Sequence, residues 1–352
     1  MSFSGRCARE DTYVHRSELT VDLGALRRNV RTLVRALAGS ELWAVVKADA
    51  YGHGALDVSR AALEAGAAAL CVVTGAEALE LRAALPLARI LCMGPVESTE
   101  LPGLRDAHVE LAVSTNDLPE GMHVHLKLDT GMGRFGLSEL IQPTRGVVAL
   151  MSHLATADSD RAFAERQLER FEELTRGHTH LTRHVANSAA ALRIPAARFD
   201  AARCGIALYG LSPFGEDPAA DGLEPVLGWR SHLAQVKRLA PGESTGYGRR
   251  FVAERPTWIG LVPVGYADGF RRDLSGTHVR VGDDLRRVVG TISMDSFAVE
   301  LDRELPAGTP VTLLGGGVRA EEHADVAGTI NYELAARISS DARRARRLVV
   351  DG

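Results

Sequence analysis

Short apolar runs separated by segments with helical spacing make up the first two thirds of the chain. Apolar residues recur three or four positions apart in the intervening segments, for example at 55–65, at 76–84 and from Phe163 to Leu174. The apolar runs lie at 44–46, 69–73, 89–93, 110–113, 124–128, 147–151, 182–186 and about 201–204. Eight buried strands that alternate with helices predict an α/β fold with a parallel sheet, most economically a closed (β/α)8 TIM barrel.

The edges of this pattern add detail to the predicted barrel. An apolar run at 19–23 predicts a first strand, and Asp22 is placed to cap the helix that follows and that Gly39 ends. The connections at 114–122 and after Phe135 are too short for a full helix, so we expect a barrel with one trimmed side. The polar residues 1–12 are predicted to be disordered.

The pattern changes after about residue 228. Closely spaced β-rich runs follow at 258–264, 279–281, 288–292, 297–301 and 310–314, and one helix-like segment carries Ile330, Leu334 and Ile338. This predicts a barrel domain over 13–228 and a mainly β C-terminal domain over 229–352. The first strand, near 17–23, is a candidate to pack with the C-terminal domain.

Composition narrows the class of protein. With 352 residues, 45% hydrophobic and 24% charged, the chain suits one large domain and one smaller soluble domain. A net charge of −4 gives no reason to expect nucleic acid or an anionic membrane as partner. The cysteines at 7, 71, 92 and 204 form no C-x-x-C pair, which disfavours a disulfide framework or a metal site. Without a signal peptide or an apolar spanning run, a cytoplasmic location is expected.

Lys47 is the first candidate for chemistry. It directly follows the apolar run 44–46, in the segment WAVVKADAYGHG. A buried lysine amine can form a Schiff base with a carbonyl, and Tyr51, Gly52 and Gly54 offer a hydroxyl and open N–H groups to an anion such as a phosphate. A lysine in a surface salt bridge before an ordinary glycine turn is the alternative.

Further polar residues follow the later strands. Functional groups of a barrel gather where the parallel strands end, so we expect these residues to meet at one rim. They are Lys127, Asp129 and Arg134 after the fifth strand, His153 after the sixth, Asn187 and Ser188 after the seventh, and Arg203, Gly205 and Ile206 at the eighth.

These segments together resemble a known family. The motifs AVVKADAYGHG, HLKLDTGMGRFG, SHLATAD, ANSAA, RCGIALYG, TGYGRRF, GYADGF, ISMDS and INYE are similar, in this order, to those of bacterial alanine racemases. The resemblance implies an isomerase that uses pyridoxal 5′-phosphate (PLP). It also implies a barrel with a C-terminal β domain, a head-to-tail homodimer with shared active sites, and D-alanine made for peptidoglycan.

The resemblance assigns two acid–base residues. Lys47 matches the lysine that holds PLP, and Tyr247 matches a tyrosine that enters the active site from the other subunit. Racemisation removes a proton from one face of Cα and returns it on the other, which favours two bases on opposite sides. The lysine is expected to take the proton of D-alanine and the tyrosine that of L-alanine. A phenol is a weak base unless a cation favours its ionised form, and His153 held by Arg203 is expected to provide this.

Other positions match the cofactor and substrate contacts of the family. Arg203 is expected to face the pyridine nitrogen of PLP, near His153 and Asn187. The phosphate contacts are expected from Tyr51, Ser188, the N–H groups of Gly205 and Ile206, and Tyr332. The substrate-side residues are expected to be Arg134 and Met294 at the carboxylate, Asp295 beside them, and Tyr266 with Tyr332 at the entrance. Lys127 matches a lysine that is often carbamylated.

The chain departs from the family pattern near the predicted entrance. Ser17 stands where tryptophan is usual, Thr291 replaces a common arginine, and residues 341–344 differ. A racemase of another small amino acid such as serine is therefore a rival interpretation. A non-racemising PLP-binding barrel protein and a PLP decarboxylase are further alternatives, disfavoured by the second β domain with Tyr247 and by the Y-G-R and R-x-G-I segments.

Overall fold

The structure is a computed structural model that describes residues 15–352. The predicted disorder of residues 1–12, the start of the barrel domain at residue 13 and the position of Cys7 lie outside the described residues.

A closed barrel follows the first strand and helix of the chain. The chain starts with β1 (Glu18–Asp22) and a helix over Leu23–Leu37, at whose start Asp22 Oδ1 accepts the N–H of Ala25 at 2.9 Å, as predicted. The barrel strands are all parallel, and the last pairs with the first to close the ring. They are β2 (Glu41–Val45), β3 (Ala69–Val72), β4 (Ile90–Cys92), β5 (Glu110–Val113), β6 (Val124–Lys127), β7 (Val147–Met151), β8 (Thr182–His184) and β9 (Ala201–Cys204). The predicted (β/α)8 barrel is thus confirmed.

Helices cover the outside of the barrel incompletely. They span Ala55–Glu64, Gly75–Ala84, Leu101–Asp106, Arg161–Thr175 and Ser188–Arg193. Residues 114–123 and 128–146, all within the described part of the chain, form no helix. The flanks of β6 therefore carry loops, which is the trimmed side that the short connections predict.

The interior of the barrel is built from alternate residues of its strands. Trp43, Val45, Cys71, Leu91 and Ala201 form a buried cluster inside the ring. The intervening residues point outward into the core shared with the helices. Polar inward-facing residues occur near both ends of the ring, and those at the carboxyl end form the candidate site.

A second, mainly β unit follows the barrel. Its strands are β10 (Leu227–His232), β11 (Gln235–Leu239), β12 (Ser244–Thr245), β13 (Phe251–Val252), β14 (Thr257–Val262), β15 (His278–Val281), β16 (Asp284–Val289), β17 (Phe297–Leu301), β18 (Pro310–Leu314) and β19 (Arg346–Val350). β12 and β13 form a separate hairpin, and the others form with β1 a nine-stranded, mostly antiparallel sheet in the order β11-β14-β17-β16-β15-β18-β10-β1-β19. β1 lies between β10 and β19 in this sheet. The predicted boundary between residues 228 and 229 falls inside β10, and the division of the chain there stays a prediction.

Two details of the second unit differ from the sequence patterns. The single predicted helix is two helices, Ala320–Ala327 and Asn331–Arg337, because Gly328 has a φ of +62° and ends the first. The strand predicted over 288–292 ends at Val289, since Gly290 turns the chain with a φ of +70°. This turn starts the loop that carries Thr291 and Met294.

Candidate active site

The candidate site is a cavity of about 370 Å³ at the carboxyl end of the barrel strands. The predicted residues that line it come from the ends of five barrel strands and from one helix of the second unit. They are Lys47, Tyr51, Lys127, Arg134, His153, Asn187, Ser188, Arg203, Gly205, Ile206 and Tyr332. The structure therefore brings together side chains that lie up to about 285 residues apart in the sequence.

Lys47 stands just beyond β2, at the start of an unusual turn. Ala48 to Tyr51 all have left-handed backbone angles, with φ between +51° and +55°. A left-handed residue other than glycine costs roughly 1–2 kcal/mol, so the turn depends on its contacts. Two carboxylates supply them: Glu77 accepts the N–H of Ala48, and Asp49 accepts the N–H of Ala55, both at 2.7 Å.

The turn places the Lys47 amine in a cationic environment. Burial and then the charge of Arg134 lower the pKa of Lys47, and the charge of Glu77 acts in the opposite direction. A larger fraction of this amine is therefore neutral at physiological pH than in a solvated lysine. The neutral amine is the form that attacks a carbonyl carbon and accepts a proton.

The same turn directs Tyr51 toward the end of β9, where a small polar cradle forms. Ser188 Oγ accepts the N–H groups of Gly205 at 3.0 Å and Ala207 at 3.4 Å. A Cβ atom at position 205 would lie 2.5 Å from Tyr51 Oη, so only glycine leaves room for that hydroxyl. Asn187 Oδ1 accepts the N–H of Ala190 and so caps the helix that begins with Ser188.

The tyrosines of the cradle stay protonated at neutral pH. Burial raises the pKa of Tyr51 to about 12, and burial also raises the pKa of Tyr332. The two rings lie 6.2 Å apart between centroids. Both phenols, like Ser188, therefore present hydroxyl groups that donate hydrogen bonds, and this set of neutral donors suits a small anion.

Arg203 forms the floor of the cavity and is held by several acceptors. Its Nη2 donates to the carbonyl of Ser152 at 2.7 Å and to His153 Nδ1 at 3.3 Å. Burial lowers the pKa of Arg203 to about 10, which leaves it a cation at neutral pH. Burial and then the charge of Arg203 lower the pKa of His153 to about 3, so this imidazole is neutral and accepts the hydrogen bond.

Lys127 and Arg134 form a cationic wall on the other side. Burial, then Arg134, then Arg203 lower the pKa of Lys127 to about 8. Asp129, two residues on, accepts the N–H of Gly131 at 2.9 Å and the N–H of Gly133 at 3.1 Å, which shapes the loop that carries Arg134. A buried amine close to a guanidinium is thus partly neutral and accessible to electrophiles.

The other predicted residues lie on the second unit and do not line the cavity of their own chain. Tyr247, Met294 and Tyr266 are 72%, 53% and 44% exposed. They form one surface: Thr291 Oγ1 donates to the carbonyl of Tyr247 at 2.8 Å, and Tyr266 N–H donates to the carbonyl of Ser293 at 3.1 Å. Asp295 lies beside Met294 on this surface and pairs with Arg344 at 2.7 Å. We call Tyr247, Tyr266, Met294 and Asp295 the tyrosine face.

Several residues that surround the site are not among those predicted from the sequence. Glu77 holds the left-handed turn, and His125 and His184 lie inside the barrel below Arg203. A signal for the histidines exists, because His125 is two residues before Lys127 and must face the same side of β6. Glu77 lies at the third position of a helix, where Thr74 and Glu77 form a capping box, and its contact with Ala48 is visible only in space.

These features define a two-domain barrel enzyme. A parallel barrel is joined to a large β sheet, and one rim of the barrel holds a lysine of lowered pKa, an anion cradle and a buried arginine. Family models assign the same two parts: residues 21–213 match the alanine racemase N-terminal domain and residues 226–346 the alanine racemase C-terminal domain. The chain belongs to the alanine racemase family and is an isomerase.

Individual relatives cover nearly the whole chain. Alanine racemase of Lactiplantibacillus plantarum is 39% identical over 95% of this chain and 98% of that protein. Alanine racemase 1 of Bacillus subtilis is 40% identical over 92% of this chain and 91% of that protein. The crystal structure of alanine racemase from D-cycloserine-producing Streptomyces lavendulae superposes with a TM-score of 0.90 at 37% identity, covering 97% and 98% of the two chains. Within residues 15–352, no helix is long and apolar enough to cross a membrane.

Proposed function

We propose that this protein interconverts L-alanine and D-alanine with PLP bound in the barrel cavity, and that Lys47 and Tyr247 are its two bases. The observation that carries the proposal is the meeting of Lys47, the cradle of Tyr51, Ser188 and Gly205, and Arg203 in one cavity. The membership of the family supplies the reaction, and these side chains supply a reason why this chain can carry it out.

The residues present fit PLP. Lys47 offers the neutral amine that reacts with the aldehyde, and the cradle offers the several donors that a phosphate needs. Arg203 offers a donor to the pyridine nitrogen. The glycine at position 205 also favours PLP, because a Cβ there would occupy the place of the Tyr51 hydroxyl in the cradle. We assign the phosphate to Tyr51, Ser188, Tyr332 and the N–H groups of Gly205 and Ile206, with His153 and Asn187 as supporting residues. When bound, PLP supplies an electron-withdrawing ring that stabilises negative charge at Cα of the substrate.

The protein supplies the proton transfers. Lys47 removes the Cα proton of D-alanine from one face and returns a proton to that face in the reverse direction. Tyr247 performs the same task for L-alanine on the opposite face. The lowered pKa of Lys47 favours its basic form. Tyr247 is expected to act beside His153, whose Nδ1 accepts a hydrogen bond from Arg203.

We propose that each cavity is completed by the tyrosine face of a second copy of the chain, as a homodimer. Support comes from the separation within one chain, since Tyr247 is largely exposed and does not line its own cavity. The tyrosine face would bring the Met294 N–H to the substrate carboxylate beside Arg134, with Asp295 next to Met294. Tyr266 with Tyr332 would narrow the entrance. The relatives, which are alanine racemases, favour alanine over serine as the substrate.

We also propose that Lys127 is carbamylated. The neutral amine attacks the carbon of carbon dioxide, an N–C bond forms, and one N–H proton is released to solvent. The resulting carboxylate would pair with Arg134. A pKa of about 8 provides the neutral amine that this step needs, and the product replaces repulsion between two cations with attraction. A cytoplasmic location and a supply of D-alanine to peptidoglycan complete the proposal.

The test combines trapping of the cofactor with isotope exchange. Purified protein is mixed with PLP, reduced with borohydride and digested, and the modified peptide is found by mass. The lysines of the chain are Lys47, Lys127 and Lys237, so the three outcomes are distinct. We expect the label on Lys47, its loss in Lys47→Ala and its retention in the exposed-strand control Lys237→Ala.

The second half of the test measures racemisation itself. Incubation with L-alanine in deuterated water should give D-alanine that carries deuterium at Cα, and Tyr247→Phe should abolish this product while it leaves the PLP label on Lys47. Faster racemisation of L-serine than of L-alanine would make serine the substrate. A label on Lys47 without exchange of either amino acid would indicate the non-racemising PLP-binding protein, and a label elsewhere would refute the assignment of the site.

A further inference from the structure

A chain of polar side chains crosses the inside of the barrel below the cavity. It begins at Arg203 on β9, continues through His184 on β8 and His125 on β6, and ends at Glu110 on β5. The successive distances are 2.6 Å from Arg203 Nη1 to His184 Nδ1, 2.9 Å from His184 Nε2 to His125 Nδ1, and 2.8 Å from His125 Nε2 to Glu110 Oε2. Both histidines are fully buried.

The chemistry of these groups determines where each proton lies. Arginine can only donate, so His184 Nδ1 must accept and its proton must be on Nε2. That N–H donates to His125 Nδ1, and the proton of His125 must therefore also be on Nε2. It donates to Glu110, which accepts as a carboxylate. Each hydrogen bond thus determines the direction of the next, from Arg203 to the far end of the barrel.

The opposite direction conflicts with Arg203. A proton on His125 Nδ1, in either its neutral or its cationic form, would donate to His184 Nε2 and leave the His184 proton on Nδ1. Two N–H groups would then face each other across 2.6 Å. Burial lowers the pKa of both His125 and His184, which favours the neutral forms that the observed order needs.

Arg89 holds Glu110, the last member of this hydrogen-bonded series, in place. Its Nε lies 3.0 Å from both carboxylate oxygens of Glu110, and its guanidinium lies 4.6 Å from the ring centre of Trp43. Burial opposes ionisation of Glu110, but the hydrogen bonds from His125 and Arg89 and the charge of Arg89 outweigh it, so the pKa of Glu110 is lowered. Glu110 is therefore a fixed, charged acceptor.

We propose that Glu110, acting through His125 and His184, is a positioning residue that sets the histidine tautomers and thereby keeps Arg203 oriented in the cavity. This would place a determinant of the reaction at the opposite end of the barrel from the substrate. The effect on the reaction rests on the proposed function, in which Arg203 faces the cofactor. The tautomers themselves do not depend on it.

The perturbation is Glu110→Gln. An amide NH2 beside the Arg89 cation is repelled, so the glutamine should turn its carbonyl to Arg89 and its NH2 to His125. The imidazole can then accept only if its proton moves to Nδ1, which reverses both tautomers. Glu41→Gln is the matched control, because Glu41 is 3.7 Å from Arg89 and accepts from Trp43 Nε1 but does not contact either histidine.

The measurement is ¹⁵N NMR of labelled histidine in the protein without cofactor, with signals assigned from H125Q and H184Q. We expect Nε2–H tautomers at both positions in the wild type and in Glu41→Gln, and Nδ1–H tautomers in Glu110→Gln. An Nδ1–H tautomer at either position in the wild type would overturn the proposal even if the variant failed to fold, and so would unchanged tautomers in folded Glu110→Gln.

The kinetic readout tests the positioning role. By analogy with outer partners of metal-bound histidines, Glu110→Gln should lower kcat by about tenfold to hundredfold, with Glu41→Gln within about twofold of the wild type. Reversed tautomers with an unchanged kcat would overturn the positioning role. An inactive wild type with the expected tautomers would instead refute the proposed racemase function.

Discussion

The substitution Gly205→Ala tests the cradle by filling the space that Tyr51 Oη occupies. The added Cβ would lie 2.5 Å from Oη and 3.0 Å from Cζ, and contacts this short do not persist in folded proteins. The ring cannot move away freely, because Tyr51 belongs to the left-handed turn and its ring packs 4.9 Å from that of Tyr209. Overpacking of this kind costs about 1–3 kcal/mol of unfolding free energy.

The contribution of the hydroxyl group can be separated with Tyr51→Phe. Without Oη, the nearest ring atom is Cζ at 3.0 Å, so a large part of the clash is relieved. Gly205→Ala should therefore cost at least about 1 kcal/mol less in the Tyr51→Phe background than in the wild type. Urea unfolding of the cofactor-free protein measures the four free energies of this cycle.

A control and a second readout sharpen the result. At Gly177 a Cβ would meet nothing within 4 Å, so Gly177→Ala should change the unfolding free energy by no more than about 0.5 kcal/mol. A displaced Tyr51 hydroxyl should also weaken PLP binding about tenfold to hundredfold, the value of a hydrogen bond to a charged group. If Gly205→Ala were equally costly in both backgrounds, Tyr51 would not lie over Gly205 and the cradle would be wrong.

Three further predictions concern helix ends and the cationic wall. Ala38 follows the helix Leu23–Leu37 with a φ of +53°, so Ala38→Gly should raise the unfolding free energy measured in urea by about 0.5–1 kcal/mol. Ala36→Gly, inside that helix, should lower it by a similar amount. If both variants changed the unfolding free energy in the same direction, the left-handed conformation of Ala38 would be wrong. Asp22→Ala should cost about 1 kcal/mol through loss of the hydrogen bond from the Ala25 N–H, and Asp22→Asn should retain most of it; a harmless Asp22→Ala would refute the cap. The pKa of Lys127 is about 8 in the folded protein and near its ordinary value of 10.5 when unfolded, so the unfolded state binds more protons between these pH values and stability should rise with pH across this window in CO2-free buffer. Lys127→Met should remove that part of the slope, and an identical slope in the variant would show that Lys127 is not the group responsible.

The left-handed turn that follows Lys47 affects both the stability of the protein and its candidate site. Four consecutive residues without a glycine occupy a conformation that each disfavours, directly after Lys47. The hydrogen bonds from the Ala48 N–H to Glu77 and from the Ala55 N–H to Asp49 offset part of this cost and keep Lys47 and Tyr51 on the same side of the cavity. Strain held by the surrounding structure at this point is consistent with a site whose geometry must not relax.

The sequence alone determined the barrel and most of its rim. Apolar runs of strand length that alternate with helical spacing leave few other folds, and the polar residues that end each run must meet at one rim because parallel strands all point the same way. Lys47, Lys127, His153 and Arg203 can be predicted as rim residues from the sequence for this reason. The Asp22 cap can also be predicted from the sequence, since a helix cap depends only on neighbouring residues.

The tertiary structure decided what depends on contacts between distant segments. No local signal predicts a left-handed turn at Ala48–Tyr51, because Glu77, which accepts the N–H of Ala48, comes from another helix. The direction of the protons from Arg203 to Glu110 requires three separate strands to bring His184, His125 and Glu110 within hydrogen-bonding distance. The separation of the tyrosine face from the cavity is likewise a property of the folded chain. Periodicity encodes which face of an element is buried, whereas the partners that meet on that face are selected only when the barrel closes.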